Sequence, residues 1–388
     1  MESLTPEFVA AEEDVACRTG FQSALYSLPH RIVLVSHDLE QEGHLLLDYL
    51  LRFGAGFIDG QEILDRRRRV ECGAWKELRN HEELSLCVEV CNRDMRKDSP
   101  DAAEDLLGAE VPPRAEYIRL IAVELQRIAS HLMWLGAYLP DLGLITGFLY
   151  GMRDREMFLN LLEIPSGGRL LYNYVKIGGV KRDLPPGFEA KAERVMQTLE
   201  RRLKEYENLY DNSKIFRMRN DGVGVYSASD AINWGITGPN LRSAGVPFDL
   251  RQADSYDAYP ELDFEPVTNT AAGGGSDCFS RYRQRVDEMH QSMDLVRQAL
   301  AKMPEGRVMA DSVPLRASGE AFRRTEDSRG EALMYLVGDG SDRPYRWKIR
   351  RPMFTTVSAA PHFLKGNKMA DVPSIMGSLD LCIGETDK

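Results

Sequence analysis

The stretch Arg114-Ala-Glu-Tyr-Ile-Arg-Leu-Ile-Ala-Val-Glu124-Leu-Gln-Arg127-Ile-Ala-Ser-His131-Leu-Met-Trp-Leu-Gly-Ala-Tyr-Leu139 carries Ile118, Ile121, Leu125, Ile128, Leu132 and Leu135 at steps of 3, 4, 3, 4 and 3. That spacing puts all six on one stripe of a helix, and the stripe must pack against another apolar surface. Val111-Pro-Pro113 starts this helix, since proline is tolerated in a first helical turn. Glu124, Arg127 and His131 form a polar stripe on the same helix, which reads as a charged surface or a helix-to-helix contact.

On the C-terminal side a second helix is expected over 188–210, with Val195, Leu199, Leu203, Tyr206 and Tyr210 on one face. A third, over 281–303, repeats the 3,4 step through Val286, Met289, Met293, Val296, Leu300 and Met303 and stops at Pro304. Three such helices argue for a bundle. Two short strands, 332–337 and 344–350, flank a Gly-Asp-Gly-Ser-Asp turn and predict a hairpin. In its second arm Tyr345, Trp347 and Ile349 alternate with Arg346, Lys348 and Arg350, giving one apolar and one basic face. Residues 220–275, rich in Gly, Asn and Pro, read as long ordered loops rather than regular elements. The expected fold class is α+β, mainly helical. Its expected parts are an N-terminal region 1–107 whose fold the sequence leaves open, a bundle core 108–310, and a hairpin with a closing segment, 311–388.

A length of 388 residues predicts two or three structural units at roughly 150 residues each. With 43% hydrophobic and 28% charged residues, a disordered, collagenous or disulfide-scaffold chain is excluded. No apolar run approaches the roughly 18 residues that span a bilayer, and the acidic N-terminus lacks the basic start of a signal peptide. The net charge of −11 opposes binding to nucleic acid or anionic lipid except at a local patch. Cys17, Cys72, Cys87, Cys91, Cys278 and Cys382 are too irregular for a disulfide framework, which points to a reducing, cytoplasmic setting.

The cysteines also lack the C-x-x-C pairs of thiolate metal sites, so no metal site is expected and the thiols read as buried and free. Phosphate-cradling and dinucleotide glycine motifs are missing, and Asp221-Gly-Val-Gly-Val reads as a turn. The run Arg66 to Arg69 reads as a solvated helical face, with a grip on an anionic headgroup or an acidic partner as the alternative. Asp141 follows the first helix in Gly136-Ala-Tyr-Leu-Pro-Asp141-Leu-Gly143-Leu-Ile-Thr-Gly-Phe148, an apolar segment where a carboxylate is costly unless paired. It serves either a cap or chemistry.

The blocks 104–119, 124–136, Asp141-Leu-Gly143, 174–185, 344–350 and Ile375-Met-Gly-Ser-Leu-Asp380 together resemble the family of the D subunit, or 49 kDa subunit, of NADH-quinone oxidoreductase, respiratory complex I. The likeness runs from about Glu104 to the end of the sequence. It implies a helical fold like the large subunit of nickel-iron hydrogenases, emptied of its metal. Cys382 stands alone where a hydrogenase would place two thiolates. By this resemblance the chain belongs to the peripheral arm of a proton-translocating complex, on the cytoplasmic face of the cell membrane. It binds no cofactor itself, takes quinone as substrate, and leaves the iron–sulfur clusters, flavin and NAD to partner subunits. Implied partners are the iron–sulfur B subunit, the C and I subunits, and the membrane-embedded H subunit, with no nucleic acid.

The family reduces quinone with a histidine, oriented by an aspartate, and a tyrosine. Asp141 matches that aspartate and is the implied catalytic residue, and Asp141, Phe148 and Asp380 are the implied quinone-binding residues. An aspartate fixes an imidazole's tautomer and strengthens it as a proton donor. The family's G-P-x-H-P-x-x-H-G block has no counterpart in residues 1–107, where His30, His37, His44 and His81 stand without a motif to choose among them. Ser99 falls about where the tyrosine is expected. The alternative is a metal-free structural subunit of a hydrogenase-like, or ferredoxin- or F(420)H(2)-dependent, membrane oxidoreductase without quinone chemistry of its own.

Overall fold

The computed structural model describes residues 25–28, 31–34, 98–169 and 172–386. Met1–Arg79 and Asn80–Lys388 form two compact units. In the first, β1 (Leu25–Leu28) and β2 (Arg31–Leu34) pair antiparallel. Cys17, Cys72, Cys87, Cys91, Arg66 to Arg69, His30, His37, His44 and His81 lie outside the described residues.

In the second unit the stripe Ile118 to Leu135 lies on α2 (Pro113–Asp141), preceded by α1 (Asp98–Leu107). Pro112 is in the extended conformation and Pro113 takes the first helical position, as a residue without an N–H can. All six stripe residues are at most 1% exposed, each contributing about 2 kcal/mol relative to exposure. Gly143, at φ +85°, reverses the chain into α3 (Ile145–Ser166), which doubles back along α2. The two helices touch backbone to backbone. A Cβ on Gly151 would stand 2.9 Å from the Leu132 carbonyl oxygen and 3.1 Å from Gly136. Helix α3 was not expected, because Ile145, Phe148, Leu149 and Tyr150 remain exposed and blur its apolar period.

After the short pair β3 (Val175–Lys176) and β4 (Gly179–Val180), α4 (Phe188–Tyr206) runs into a π turn, Glu207–Asp211. Leu199, Leu203, Tyr206 and Tyr210 are buried as expected, but Met196 rather than Val195 reaches the core fully. Residues 220–275 differ from the loop expectation. After α5 (Lys214–Asn220) come α6 (Ala228–Asn233), α7 (Pro239–Arg242) and α8 (Leu250–Ala253). These helices are too short for a hydrophobic period; side-chain caps hold two of them, Ser227 with Asp230 on α6 and Asp249 on α8. Asp221-Gly-Val-Gly is a turn, with Gly222 and Gly224 at positive φ. The third expected helix is α9 (Cys278–Lys302), packed on α2 through Val286, Met289, Met293 and Val296.

The expected hairpin is a three-stranded antiparallel sheet, β5 (Ser318–Asp327), β6 (Gly330–Asp339) and β7 (Pro344–Arg350), in that order. Strand β5, rich in Arg, Glu and Asp, has no apolar alternation to announce it. Trp347 and Ile349 pack with Ala102, Ala103, Met334 and Leu336 between the sheet and α1. Tyr345 departs from the expected apolar face, at 74% exposed. A bulge at Val337/Gly338 pairs those residues with Arg346 and Pro344, leaving Tyr345 without a ladder partner. The chain closes with α10 (Pro352–Leu364), α11 (Val372–Ser378) and α12 (Ile383–Thr386). The architecture is α+β and mainly helical.

Candidate functional site

Asp141 is the last residue of α2. One and two turns before it, Tyr138 and Trp134 stack at 5.2 Å and meet α11. The Trp134 indole Nε1 donates to the Gly377 carbonyl at 2.7 Å. Only glycine fits at 377: a Cβ there would lie 2.7 Å from the Tyr138 ring and 3.5 Å from Asp141 Oδ2. Tyr138 Oη bonds the Asn220 side chain and reaches Ser374 Oγ at 3.5 Å. From α9, Arg281 Nε donates to Ser378 Oγ at 2.9 Å and Arg285 Nη1 to the Ser378 carbonyl at 3.0 Å. The Arg285 guanidinium lies over the Trp134 ring, 4.4 Å from its centre. Helix α11 is thus clamped between α2 and α9.

Asp141 itself is exposed and makes no side-chain hydrogen bond or ion pair among the described residues. It caps nothing. Helix α3 starts after Leu144 without a side-chain cap, and the carbonyl end of α2 offers a carboxylate no favourable dipole. Phe148 is 39% exposed on α3, its carbonyl beside Gly136. The segment after α11 brings Asp380 into the same neighbourhood of the fold, three residues past Gly377. Asp380 is buried, adopts φ +57°, and pairs with Arg329 at 3.1 Å. Asp141 and Phe148 therefore face solvent, whereas Asp380 is committed to an internal ion pair.

Behind this end of α2, Glu124, Arg127 and His131 are fully buried, so the polar stripe is a helix-to-helix contact and not a surface. His131 Nε2 lies 3.1 Å from Glu288 Oε2 on α9. Glu124 takes bonds from Ser292 Oγ at 2.6 Å, Tyr259 Oη at 2.5 Å and Arg251 Nη1 at 3.1 Å. Burial works to raise the Glu124 proton affinity, but Arg127, Arg251 and these hydroxyls outweigh it and hold its pKa at about 2. Glu288 is held well below the carboxylate range in the same way, with Arg242 and His131 outweighing burial. His131 is pushed below the ordinary imidazole value by burial, with Arg285 and Arg127 acting in the same direction. Arg242, Asp249, Glu288 and Glu326 were not expected from the sequence. Glu288 carries the one available signal, a charge between Val286 and Met289 on a core-facing stripe.

Ser99 lies in α1. Cys278 is buried and accepts a bond from Arg281 Nη2 at 3.2 Å; Cys382 is half-buried. Among the described residues no group of three or more His, Cys, Asp or Glu is placed to hold a metal ion, and no helix is long and apolar enough to cross a membrane.

The family model for the 49 kDa subunit of respiratory-chain NADH dehydrogenase matches residues 141–317 and 314–388, starting at Asp141 itself. The D subunit of NADH-quinone oxidoreductase from Geobacillus kaustophilus is 45% identical over 291 residues, covering 74% of this chain and 78% of the relative. The D subunit of F(420)H(2) dehydrogenase from Methanosarcina mazei is 41% identical over 293 residues, covering 74% and 77%. The H 1 subunit of NAD(P)H-quinone oxidoreductase from Gloeobacter violaceus is 41% identical over 314 residues, covering 74% and 79%. With a family model spanning most of the chain and relatives of this identity, the chain belongs to the family of the 49 kDa subunit of respiratory-chain NADH dehydrogenase, an oxidoreductase component of a multisubunit complex.

Proposed function

We propose that this chain forms one wall of a quinone-reducing cavity, with Asp141 as its reactive carboxylate and Phe148 as an apolar contact for the quinone ring. The observation that carries this reading is the placement of Asp141: exposed and unpaired among the described residues, yet held at the end of a buried helix by the Trp134–Gly377 bond. By contrast the buried Asp380 is paired, with Arg329. A carboxylate kept free on a rigid mount can orient a proton-donating group, which then donates as negative charge develops on the quinone oxygen. Asp380 acts from behind, fixing the segment that contains Gly377.

On this reading the chain is the peripheral, cytoplasm-facing D subunit of a proton-translocating complex. It holds no redox cofactor and borders the terminal iron–sulfur cluster of the B subunit, with the C, I and H subunits as further neighbours. Flavin and NAD belong to other partners. The exposed Ile145, Phe148, Leu149 and Tyr150 are the surface that such neighbours and the quinone would cover.

The test is Asp141→Asn in the assembled complex. Quinone reductase activity should fall by about 100-fold, the scale of a lost proton-transfer function, while subunit composition and electron delivery to an artificial acceptor stay normal. Normal quinone turnover in that variant defeats the assignment. It would favour a metal-free docking subunit in a hydrogenase-like, ferredoxin- or F(420)H(2)-dependent complex, a reading supported by the missing histidine block in residues 1–107.

A further inference from the structure

Arg242, fully buried on α7, holds three carboxylates at once: Glu326 Oε1 at 2.8 Å, Glu288 Oε1 at 3.0 Å and Asp249 Oδ2 at 3.4 Å. Arg251 continues the network to Asp249 at 2.6 Å and Glu124 at 3.1 Å, Arg127 adds a contact to Glu124 at 3.2 Å, and His131 reaches Glu288 at 3.1 Å. Four carboxylates are therefore joined to three guanidiniums and one imidazole, none of these residues more than 2% exposed. Arg285, the next buried guanidinium, spends its bonds on the carbonyls of Arg281 and Ser378 and the Asn240 amide oxygen. A surplus negative charge in such a site is costly, and one bound proton removes it.

The supply of donors decides where that proton sits. Glu124 is served by Arg127, Arg251, Tyr259 and Ser292. Asp249 is served by the Arg251 side chain and backbone N–H. Glu288 is served by Arg242, Gln284 and His131. Among the described residues Glu326 has only Arg242 and a long bond, 3.4 Å, from the Leu250 N–H. His131 is a poor host, because its Nδ1 is buried with no hydrogen-bond partner among the described residues and a proton there would be an unsatisfied donor. We infer that Glu326 is a proton-binding site in the core, occupied at neutral pH.

The charged groups facing Glu326 are Arg242 from α7, Asp249 and Arg251 at α8, and Arg127 from α2; its own N–H donates to Tyr256 Oη at 3.0 Å. Burial raises its proton affinity, and the Asp249 carboxylate adds to this against the three guanidiniums. Through Arg242, Glu288 and His131 the site is linked to α2, whose Asp141 lies ten residues past His131, roughly 15 Å along the helix axis. If α2 ends at a quinone, negative charge arriving there tightens the hold of this cluster on its proton. That consequence rests on the proposed function; the protonation does not.

Infrared spectroscopy of the assembled complex at neutral pH, with Glu326→Gln and Glu288→Gln, tests the inference without turnover. The carbonyl stretch of a buried protonated acid should vanish in E326Q and persist in E288Q. E326Q, which copies the protonated shape, should keep the wild-type unfolding midpoint, while E288Q lowers it. A raised folded-state pKa makes stability fall as pH rises above the ordinary carboxylate range, and E326Q should flatten that slope. Persistence of the band in E326Q, or destabilisation equal to that of E288Q, overturns the assignment. Failure of the quinone reading would show instead in Asp141→Asn turnover and would leave the band in place.

Discussion

Trp134 and Gly377, 243 positions apart in sequence, meet through one hydrogen bond from the indole N–H to the backbone carbonyl. This bond seats the C-terminal segment on the long helix. Trp134→Phe should remove it and weaken the contact with Arg285, costing about 1–3 kcal/mol. A lowered thermal midpoint of the complex, together with reduced quinone turnover, is the expected outcome; an unchanged midpoint would show that the segment is held elsewhere.

Gly151→Ala tests the backbone contact between α2 and α3. The added methyl would press on the Leu132 carbonyl oxygen and on Gly136, and overpacking of this kind costs about 1–3 kcal/mol. Denaturant unfolding should show a lower midpoint with an unaltered slope, since the folded state loosens while the surface exposed on unfolding stays the same.

Glu124 makes the fold acid-sensitive. Its pKa, lowered from 4.5 to about 2, means that the folded state binds its proton more weakly than the unfolded chain. The stabilisation is present above about pH 4.5 and is lost as pH falls toward 2, worth about 3 kcal/mol in all. Unfolding measured across that window should steepen in the wild type. Glu124→Gln should reduce the slope, leaving the part that Glu288 and Asp249 contribute, and lower stability at neutral pH, because Arg127 and Arg251 lose their shared carboxylate.

Phe148→Ala separates packing from binding. The ring is 39% exposed, so its removal should leave the unfolding midpoint nearly unchanged. Quinone KM should rise while kcat holds, the pattern of a lost contact made equally in ground and transition states.

The long helices were legible because their apolar residues recur at helical spacing against a single core, as in Ile118 to Leu135. The polar heart was legible only in part. Glu124 and His131 occupy columns beside that apolar stripe, so their burial follows from geometry. Their partners Arg242, Asp249 and Glu326 come from short helices and a strand end with no period of their own. Tyr345 followed the alternation of its strand in sequence, and a single unpaired bulge position turned it outward. At the candidate site, the resemblance supplied Asp141, Phe148 and Asp380. The structure distinguishes among them: two are open to solvent, and the third is engaged by Arg329.

At Gly151 the three atoms nearest an added Cβ are all main-chain atoms of the long helix, so no side chain there can yield. Asp141 ends that helix and Phe148 stands in the first turn of α3, so the spacing of their backbones follows from this contact. If the quinone sits between them as proposed, it meets a mount that cannot spread, and selectivity there would fall to the visitor's shape.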